Sequence, residues 1–344
     1  MKSSLQLIVK TEGLEILTRP EAEALMEELL SGLIETADIV RLLLALNRRP
    51  VDADELAAFA RVMRRHAAPV FASENERPAH MVDTCGTGGD GCGTFNISTA
   101  AAFVAAAAGA HVAKHGNRSV SSRSGSADVL EALGIRIDLP LEQCGRAIRE
   151  IGIGFLFAPA AHAAARHAAA ARKQIGTRTI FNLLGPLTNP AGAHAQILGV
   201  FSAALIDVVA ATLGELGVRH AFVVHGCGGL DEISLAGETQ VAEVRHGTIR
   251  RLVLTPEEFG LAPAPLEAVQ GGTPWENAQF IRDIFAGQAG PRRDVVILNS
   301  AAALLVTGMA NDFREGASIA SKALASGAAL EKLERLKAFT TISQ

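Results

Sequence analysis

The sequence has few aromatic side chains and few cysteines. Tyrosine is absent, Trp275 is the only tryptophan, and aromatic residues make up 4% of the 344 positions. Proteins that stack nucleobases need aromatic platforms, so this class of function is nearly excluded. The cysteines are Cys85, Cys92, Cys144 and Cys227. They have neither the paired spacing of a zinc site nor the density of a secreted disulfide scaffold, so we expect a reduced, cytoplasmic protein.

The sequence also lacks an excess of positive charge and a long apolar run. Its formal net charge is -4, so it has no general attraction for nucleic acid or anionic lipid, and an anionic ligand needs a local cluster of donors. No stretch reaches about 18 uninterrupted apolar residues, and the N-terminal segment lacks the apolar centre of a signal peptide. We therefore expect neither a nucleic-acid partner nor a membrane partner.

The hydrophobic pattern predicts two kinds of structure along the chain. Residues 1–74 read as helices, because Thr18 with Glu21 and Asp52 with Glu55 have the spacing of capping boxes. After the polar stretch 73–78, short apolar runs alternate with helical segments, which is typical of a mainly parallel sheet covered on both faces. The sequence therefore predicts an α/β protein with an N-terminal helical domain and a larger α/β domain over 75–344.

Individual elements follow from the same pattern. Strands are predicted at 81–83, 111–114, 154–157, 197–201 and 221–224, with a hairpin over 239–254 that turns at His246–Gly247. Helices are predicted at 99–108, 127–133, 141–151, 161–173 and 204–216, and again in the tail over 294–336. The segment 39–46 is apolar nearly all round, so we expect its surplus face to pack on another subunit.

Three polar loops follow predicted strands. The first, DTCGTGGDGCGTFNIST at 83–99, puts glycines between a strand and a helix, a geometry in which backbone N–H groups can surround phosphate. The second, KHGNRSVSSRSGSAD at 114–128, adds basic, amide and hydroxyl donors. Because carboxyl ends of parallel strands share one sheet edge, both loops are expected to face one crevice.

The third loop, GCGGLDEIS at 226–234, places the adjacent acids Asp231 and Glu232 after a glycine turn. Adjacent acids often mark only a solvated turn. A magnesium-bound diphosphate, however, needs one or two carboxylates at this sheet edge, with water and phosphate oxygens completing the coordination. The position of the pair after a strand therefore favours a magnesium site.

Together these loops resemble the anthranilate phosphoribosyltransferase family, enzymes that join anthranilate to phosphoribosyl diphosphate in tryptophan biosynthesis. The resemblance spans almost the whole chain. The motifs that carry it are GTGGD at 86–90, FNIST at 95–99, KHGNRSVSS at 114–122, RTIFNLLGPLTNP at 178–190, LDE at 230–232 and GGTPWEN at 271–277. It implies a fold of the nucleoside phosphorylase and phosphoribosyltransferase type, a helical domain rejoined by helices from about 160–190, and a homodimer formed through that domain.

The resemblance also implies site residues. Those expected to bind phosphoribosyl diphosphate are Gly86, Gly89, Asp90, Thr94, Asn96, Ile97, Ser98, Thr99, Lys114, His115, Gly116, Asn117, Arg118, Ser119, Val120, Ser121, Ser122 and Ser126. Those expected at anthranilate are Gly86, His115, Asn117, His162 and Arg172. Two Mg²⁺ ions per monomer are implied, one held by Ser98 and Glu232 and the other by Asp231 and Glu232. Lys114, Asn117 and Arg172 would act by electrostatics and positioning, and no acid or base catalyst is implied.

Two other functions remain open at this stage. A pyrimidine nucleoside phosphorylase would share the architecture but use free phosphate, and the acidic pair argues against it. A nucleic-acid-binding relative without activity would need a basic groove, which the negative net charge disfavours. The chain also has HAAA at 162–165 where the family often has His-Pro-Ala-Met, which bears on the shape of the acceptor pocket.

Overall fold

The computed structural model describes residues 3–119 and 122–342. The N-terminal helices are α1 (Ser3–Glu12), α2 (Arg19–Leu30), α3 (Thr36–Asn47) and α4 (Ala53–Arg65). The capping box at the start of α2 forms, since the Thr18 N–H donates to Glu21 Oε2 at 2.8 Å. At the start of α4 only half of the expected box forms. Asp52 caps the helix, but the buried Glu55 carboxylate pairs instead with Arg49 at 2.6 Å.

A seven-stranded sheet forms the centre of the larger domain within the described residues. Its strands are β1 (Met81–Gly86), β2 (His111–Gly116), β3 (Ile153–Phe157), β4 (Ala195–Gly199), β5 (His220–Gly226), β6 (Thr239–Arg245) and β7 (Thr248–Leu254). The order is β3-β2-β1-β4-β5-β6-β7, with the first five strands parallel and the last two antiparallel. The hairpin turns at His246 and Gly247, whose φ angles of 48° and 79° suit a tight two-residue turn.

Helices cover both faces of the sheet. They are α5 (Ile97–Ala107), α6 (Ser126–Ala132), α7 (Leu141–Ile151), α8 (Ala158–Ala161), α9 (Ala169–Ile175), α10 (Ile180–Leu187), α11 (Ile206–Glu215), α12 (Pro274–Phe285), α13 (Pro291–Val306), α14 (Phe313–Ala325) and α15 (Ala328–Ile342). One core joins the sheet to α5 and α12–α15, and a second joins the opposite face to α1–α4, α10 and α11. Because one sheet face is shared with the helical bundle, the two domains meet along an apolar boundary. In the described ranges no helix has both the length and the apolar character to cross a bilayer.

These layers confirm the expected fold class, whereas one local expectation changes. The single helix expected over 161–173 is wrong: the chain forms α8, a 3₁₀ segment Ala163–Ala168, and α9. The break is at His162, whose φ of -123° and ψ of 57° are not helical. Alanine-rich sequence has high helix propensity, but here the buried histidine ring overrides it. In α3 most of the apolar surface is buried within the chain, and Leu44 stays exposed.

Candidate active site

A cleft of about 600 Å³ lies at the carboxyl ends of the parallel strands. From β1 the chain continues to β2 and β3 on one side and then returns to the other side with β4. Such a reversal opens a crevice between the two central strands, which is where open α/β sheets bind ligands. The loops after β1, β2 and β5 meet at this point, and α8–α10 form the facing wall.

The cleft brings together the described residues that the sequence singled out. They are Gly86, Gly89, Asp90, Thr94, Asn96, Ile97, Ser98, Thr99, Lys114, His115, Gly116, Asn117, Arg118, Ser119, Ser122, Ser126, His162, Arg172, Asp231 and Glu232. Val120 and Ser121 lie outside the described residues. Shared placement does not assign a ligand to each side chain, so their individual roles stay predictions.

Two glycines make room for the acidic turn. A Cβ on Gly86 would lie 2.5 Å from Asp231 Oδ2, and one on Gly199 would lie 1.5 Å from the Asp231 carbonyl oxygen. The loop after β1 also holds this side chain directly, because the Gly88 N–H donates to Asp231 Oδ2 at 2.8 Å. Glycine at the ends of β1 and β4 therefore lets the turn that carries Asp231 and Glu232 lie against the glycine loop that follows β1.

Asp231 is partly buried and Glu232 is buried, and the two carboxylates lie next to each other on one turn. Burial, with repulsion from Asp90, raises the pKa of Asp231 to about 7. Burial, with repulsion from Asp231, raises the pKa of Glu232 to about 8. Glu232 Oε1 accepts a hydrogen bond from the Ser98 N–H at 3.0 Å, and among the described residues neither carboxylate has a Lys or Arg ion pair. Ionised, the pair would carry negative charge that Lys114 offsets only in part, and such charge favours a cation.

The donor set fits magnesium better than a transition metal. The described part of the chain contains no group of three or more His, Cys, Asp or Glu side chains placed to hold a metal. Mg²⁺ does not require such a cage, because it takes one or two carboxylates and completes its shell with water and substrate phosphate. The oxygen atoms of Asp231, Glu232 and Ser98 at one cleft wall are hard ligands of this kind.

Lys114 lies beneath the same wall. Its ammonium group donates to the Thr84 carbonyl at 2.6 Å and lies 3.5 Å from Ser98 Oγ. Burial lowers the pKa of Lys114, while the charges of Asp83 and Glu232 act in the opposite direction. The Lys114 side chain thus lies below the acidic pair, next to Ser98.

Asp83 is a residue that the sequence reasoning did not assign to the site. It is fully buried on β1, and burial raises its pKa to about 6. Its Oδ1 accepts from the His115 N–H at 3.2 Å, while Oδ2 has no hydrogen-bond partner. The sequence could have indicated this residue, because Asp83 is a carboxylate inside the otherwise uncharged strand MVDTCG. A charged group in a buried strand is usually paired with another group or a metal.

The second loop is organised by Asp128, which the sequence reasoning also left unassigned. Its Oδ2 accepts from the N–H groups of Ser119 and Gly125, both at 2.9 Å. The Arg118 guanidinium, expected to serve the phosphate, pairs with Glu131 at 2.9 Å and with Asp128 at 3.3 Å. The spacing from Gly125 to Asp128 was the capping signal at the start of α6.

The opposite end of the cleft is less polar and is lined by the partly buried Arg172 and the exposed Arg166. The rings of His115 and His162 meet edge to face with centroids 5.1 Å apart. Burial lowers the pKa of His115 to about 3 and that of His162 to about 4, so both rings are neutral near pH 7. Arg172 stacks on Phe181 at 5.3 Å and has no carboxylate partner among the described residues. A free guanidinium fork of this kind matches a carboxylate.

Comparison with known proteins assigns this chain to a family. A model of the glycosyl transferase family α/β domain matches residues 78–330, and its helical bundle domain matches residues 6–67. The anthranilate phosphoribosyltransferase of Pelotomaculum thermopropionicum is 51% identical over 340 residues, covering 99% of this chain and 96% of that protein. The chain belongs to the anthranilate phosphoribosyltransferase family. The resemblance inferred from the motifs is thereby confirmed.

Solved anthranilate phosphoribosyltransferases share the whole architecture. The Thermus thermophilus structure superposes with a TM-score of 0.90 at 46% identity, covering 97% of this chain and 99% of that one. The Saccharomyces cerevisiae enzyme in complex with PRPP and Mg superposes with a TM-score of 0.89 at 28% identity, covering 98% of each chain. These matches do not support the nucleoside phosphorylase or the nucleic-acid-binding alternative.

The GGTPWEN motif of the anthranilate phosphoribosyltransferase family has a structural explanation here. Asn277 accepts from the Gly272 N–H at 2.7 Å and donates to Asn96 Oδ1 at 2.9 Å. Asn96 in turn accepts from the Ser124 hydroxyl at 3.0 Å. The motif thus joins the first and second cleft loops although it lies far from them in sequence.

Proposed function

We propose that the protein transfers the phosphoribosyl group of 5-phosphoribosyl 1-diphosphate to the amine of anthranilate. The products would be N-(5-phosphoribosyl)anthranilate and diphosphate, in the second step of tryptophan biosynthesis from chorismate. One observation carries the proposal: a single cleft has glycine-loop donors and an acidic pair at one end, and at the other Arg172, which has no carboxylate partner in the described part of the chain, beside neutral histidines. A diphosphate and an aromatic carboxylate require these two environments.

At the donor end, the chemical problem is charge on the departing diphosphate. Fixed N–H groups of the glycine loop can stabilise that charge as it develops, and each preorganised donor can change a rate by about a hundredfold. Lys114 adds buried positive charge beneath Ser98. Magnesium, when bound by Ser98, Asp231 and Glu232, would neutralise phosphate charge. We assign one ion to Ser98 with Glu232 and a second to Asp231 with Glu232.

At the acceptor end, positioning is the main requirement. The amine of anthranilate is neutral at pH 7, so its lone pair can attack the anomeric carbon without a strong base. The buried, neutral His115 and His162 fit that requirement because neither adds a positive charge beside the amine. Arg172 would bind the anthranilate carboxylate, and Asn117 would help to orient the ring. Such orientation converts a bimolecular encounter into an effectively unimolecular step.

The direct test follows anthranilate fluorescence after addition of phosphoribosyl diphosphate. We expect the signal to fall in the presence of Mg²⁺, little change with EDTA, and strongly reduced turnover in Asp231→Asn. An exposed control, Glu267→Gln, should behave as wild type because its side chain lies outside the cleft. Unchanged anthranilate fluorescence together with phosphorolysis of thymidine or uridine would refute the proposal.

We also propose that the chain forms a homodimer through its helical domain. Large apolar side chains are exposed within residues 9–44, which is more than a solvated bundle needs. They are Val9, Leu14, Ile16, Leu33 and Leu44. Light scattering should give a dimer mass for wild type and for the Ile249→Glu control on β7, and a monomer mass for Leu33→Glu combined with Leu44→Glu. A dimer mass for the double variant would contradict this assignment.

A cytoplasmic location is part of the same proposal. The four cysteines form no disulfide in the structure, and Cys85 and Cys144 are buried. Such unpaired thiols are typical of a reducing compartment. Cell fractionation with an antibody to the protein would test the location directly, and recovery outside the cytoplasmic fraction would contradict it.

A further inference from the structure

Arg178 joins the helical domain to the glycine loop through three contacts. It lies between α9 and α10, and its exposed side chain donates from Nη1 to the Gly89 carbonyl at 2.8 Å. The guanidinium carbon lies 4.1 Å from the centroid of the Phe201 ring, just after β4. The Arg178 carbonyl accepts from Asn47 Nδ2 at 2.8 Å, and Asn47 is the last residue of α3.

We propose that Arg178 is a positioning residue, which orients the glycine loop so that its free N–H groups face the diphosphate. This inference rests on the proposed function of the cleft. The C=O and N–H of one planar peptide unit point in opposite directions. A hydrogen bond that fixes the Gly89 carbonyl therefore also fixes the N–H of Asp90.

The glycine loop needs such a restraint because its own sequence does little to limit its backbone conformation. Gly88, Gly89 and Gly91 all have φ between 66° and 79°, and glycine has more accessible backbone conformations than any other residue. Among the described residues, the N–H groups of Gly89 and Asp90 donate to no protein acceptor, although both residues line the cleft. Unpaired donors on a flexible loop become a preorganised anion site only if the backbone is held.

Stacking on Phe201 makes Arg178 a suitable restraint. An exposed arginine loses side-chain entropy when it is held, and a cation–π contact with an aromatic ring offsets part of that loss. Phe201 is itself tied to the loop, because its N–H donates to Thr87 Oγ1 at 3.1 Å. The Thr87 N–H in turn donates to the Gly199 carbonyl at 2.9 Å. The Arg178 guanidinium, the Phe201 ring and the glycine loop thus each contact the other two.

A second possibility is that Arg178 acts only as a charge that attracts diphosphate. The two roles predict different variants. A charge role is retained by Arg178→Lys and is indifferent to Phe201→Leu. A positioning role requires the planar, stacked guanidinium, so both substitutions should weaken donor binding even though both keep the positive charge.

The test combines titration calorimetry with magnesium phosphoribosyl diphosphate and steady-state kinetics for both substrates. We expect Arg178→Ala to weaken donor binding and raise the donor KM by about tenfold, the size of one lost charge-assisted hydrogen bond. Phe201→Leu and Arg178→Lys should each give about a threefold to fivefold effect on the same quantities. The anthranilate KM should stay within about twofold of wild type in all three variants.

Arg146→Ala is the matched control, because Arg146 also stacks on a phenylalanine, Phe339 at 5.4 Å, but lies outside the cleft. Its kinetics should be those of wild type. The proposal is overturned if Arg178→Lys and Phe201→Leu bind the donor as wild type does, or if Arg178→Ala raises both KM values equally. Wild-type turnover tests the proposed function, whereas the difference between variant and wild-type donor binding tests this inference, so the two can fail separately.

Discussion

Replacing Glu232 with glutamine tests the idea that the acidic pair is built for a cation and destabilises the metal-free fold. The Glu232 carboxylate is buried and accepts from the Ser98 N–H at 3.0 Å. Glutamine has nearly the same shape and keeps an acceptor oxygen for that bond, so Glu232→Gln removes charge while leaving packing in place. The expected effect is therefore electrostatic.

The sign and size follow from the pKa. Burial and the Asp231 charge raise the pKa of Glu232 from 4.5 to about 8. Because the native state binds the proton more tightly than the unfolded state, the associated stability is fully present below about pH 4.5 and is lost as pH rises through about 8. At about 1.4 kcal/mol per pKa unit, ionised Glu232 costs the metal-free fold up to an order of 5 kcal/mol.

The assay is thermal unfolding of wild type and Glu232→Gln in EDTA at pH 5 and pH 8. At pH 8 the variant should melt several degrees higher, since about 1 kcal/mol shifts Tm by about 2–4 °C in domains of 150–250 residues. Near pH 5 the two should nearly coincide. Added Mg²⁺ with phosphoribosyl diphosphate should stabilise wild type more than the variant, because ligand binding stabilises the state that binds it.

Glu267→Gln provides the matched control, because Glu267 is exposed and has no ion pair among the described residues. It should leave Tm unchanged at both pH values. The reasoning is refuted if Glu232→Gln melts with wild type at pH 8, or if its gain is the same at pH 5.

Three further predictions concern other parts of the molecule. Arg172→Ala should raise the anthranilate KM by about tenfold or more and leave the donor KM nearly unchanged, because we propose that this guanidinium, which has no ion pair among the described residues, binds the acceptor carboxylate; equal effects on both substrates would contradict this. Gly199→Ala should lower magnesium-dependent turnover by about a hundredfold, because the added Cβ would lie 1.5 Å from the Asp231 carbonyl oxygen and displace the turn. Gly214→Ala is the control and should retain activity, because the nearest atom to its Cβ is 4.0 Å away. Glu55→Gln should cost about 3–5 kcal/mol in urea unfolding because it leaves a buried arginine unpaired, and a loss below about 1 kcal/mol would argue against a buried pair.

Much of the architecture could be predicted from the sequence because its determinants are local. Hydrophobic periodicity and turn residues located all five parallel strands and the hairpin, with ends shifted by a few residues. The glycine loop and the Asp231–Glu232 turn were recognised as site elements because each follows a strand, and parallel strands end at one edge. The same local logic failed at His162, where an alanine-rich segment predicted an uninterrupted helix.

The sequence by itself determined the family, the layer order and the loops that line the cleft, since motifs and periodicity are short-range properties of the chain. Only the tertiary structure decided which partners each side chain contacts there. It turned Arg118 toward Glu131, gave Arg172 no ion pair among residues 3–119 and 122–342, buried Asp83 beneath the site and brought Arg178 to Gly89. Burial, ion pairing and pKa depend on partners from distant parts of the chain, and no local pattern specifies which partners will meet.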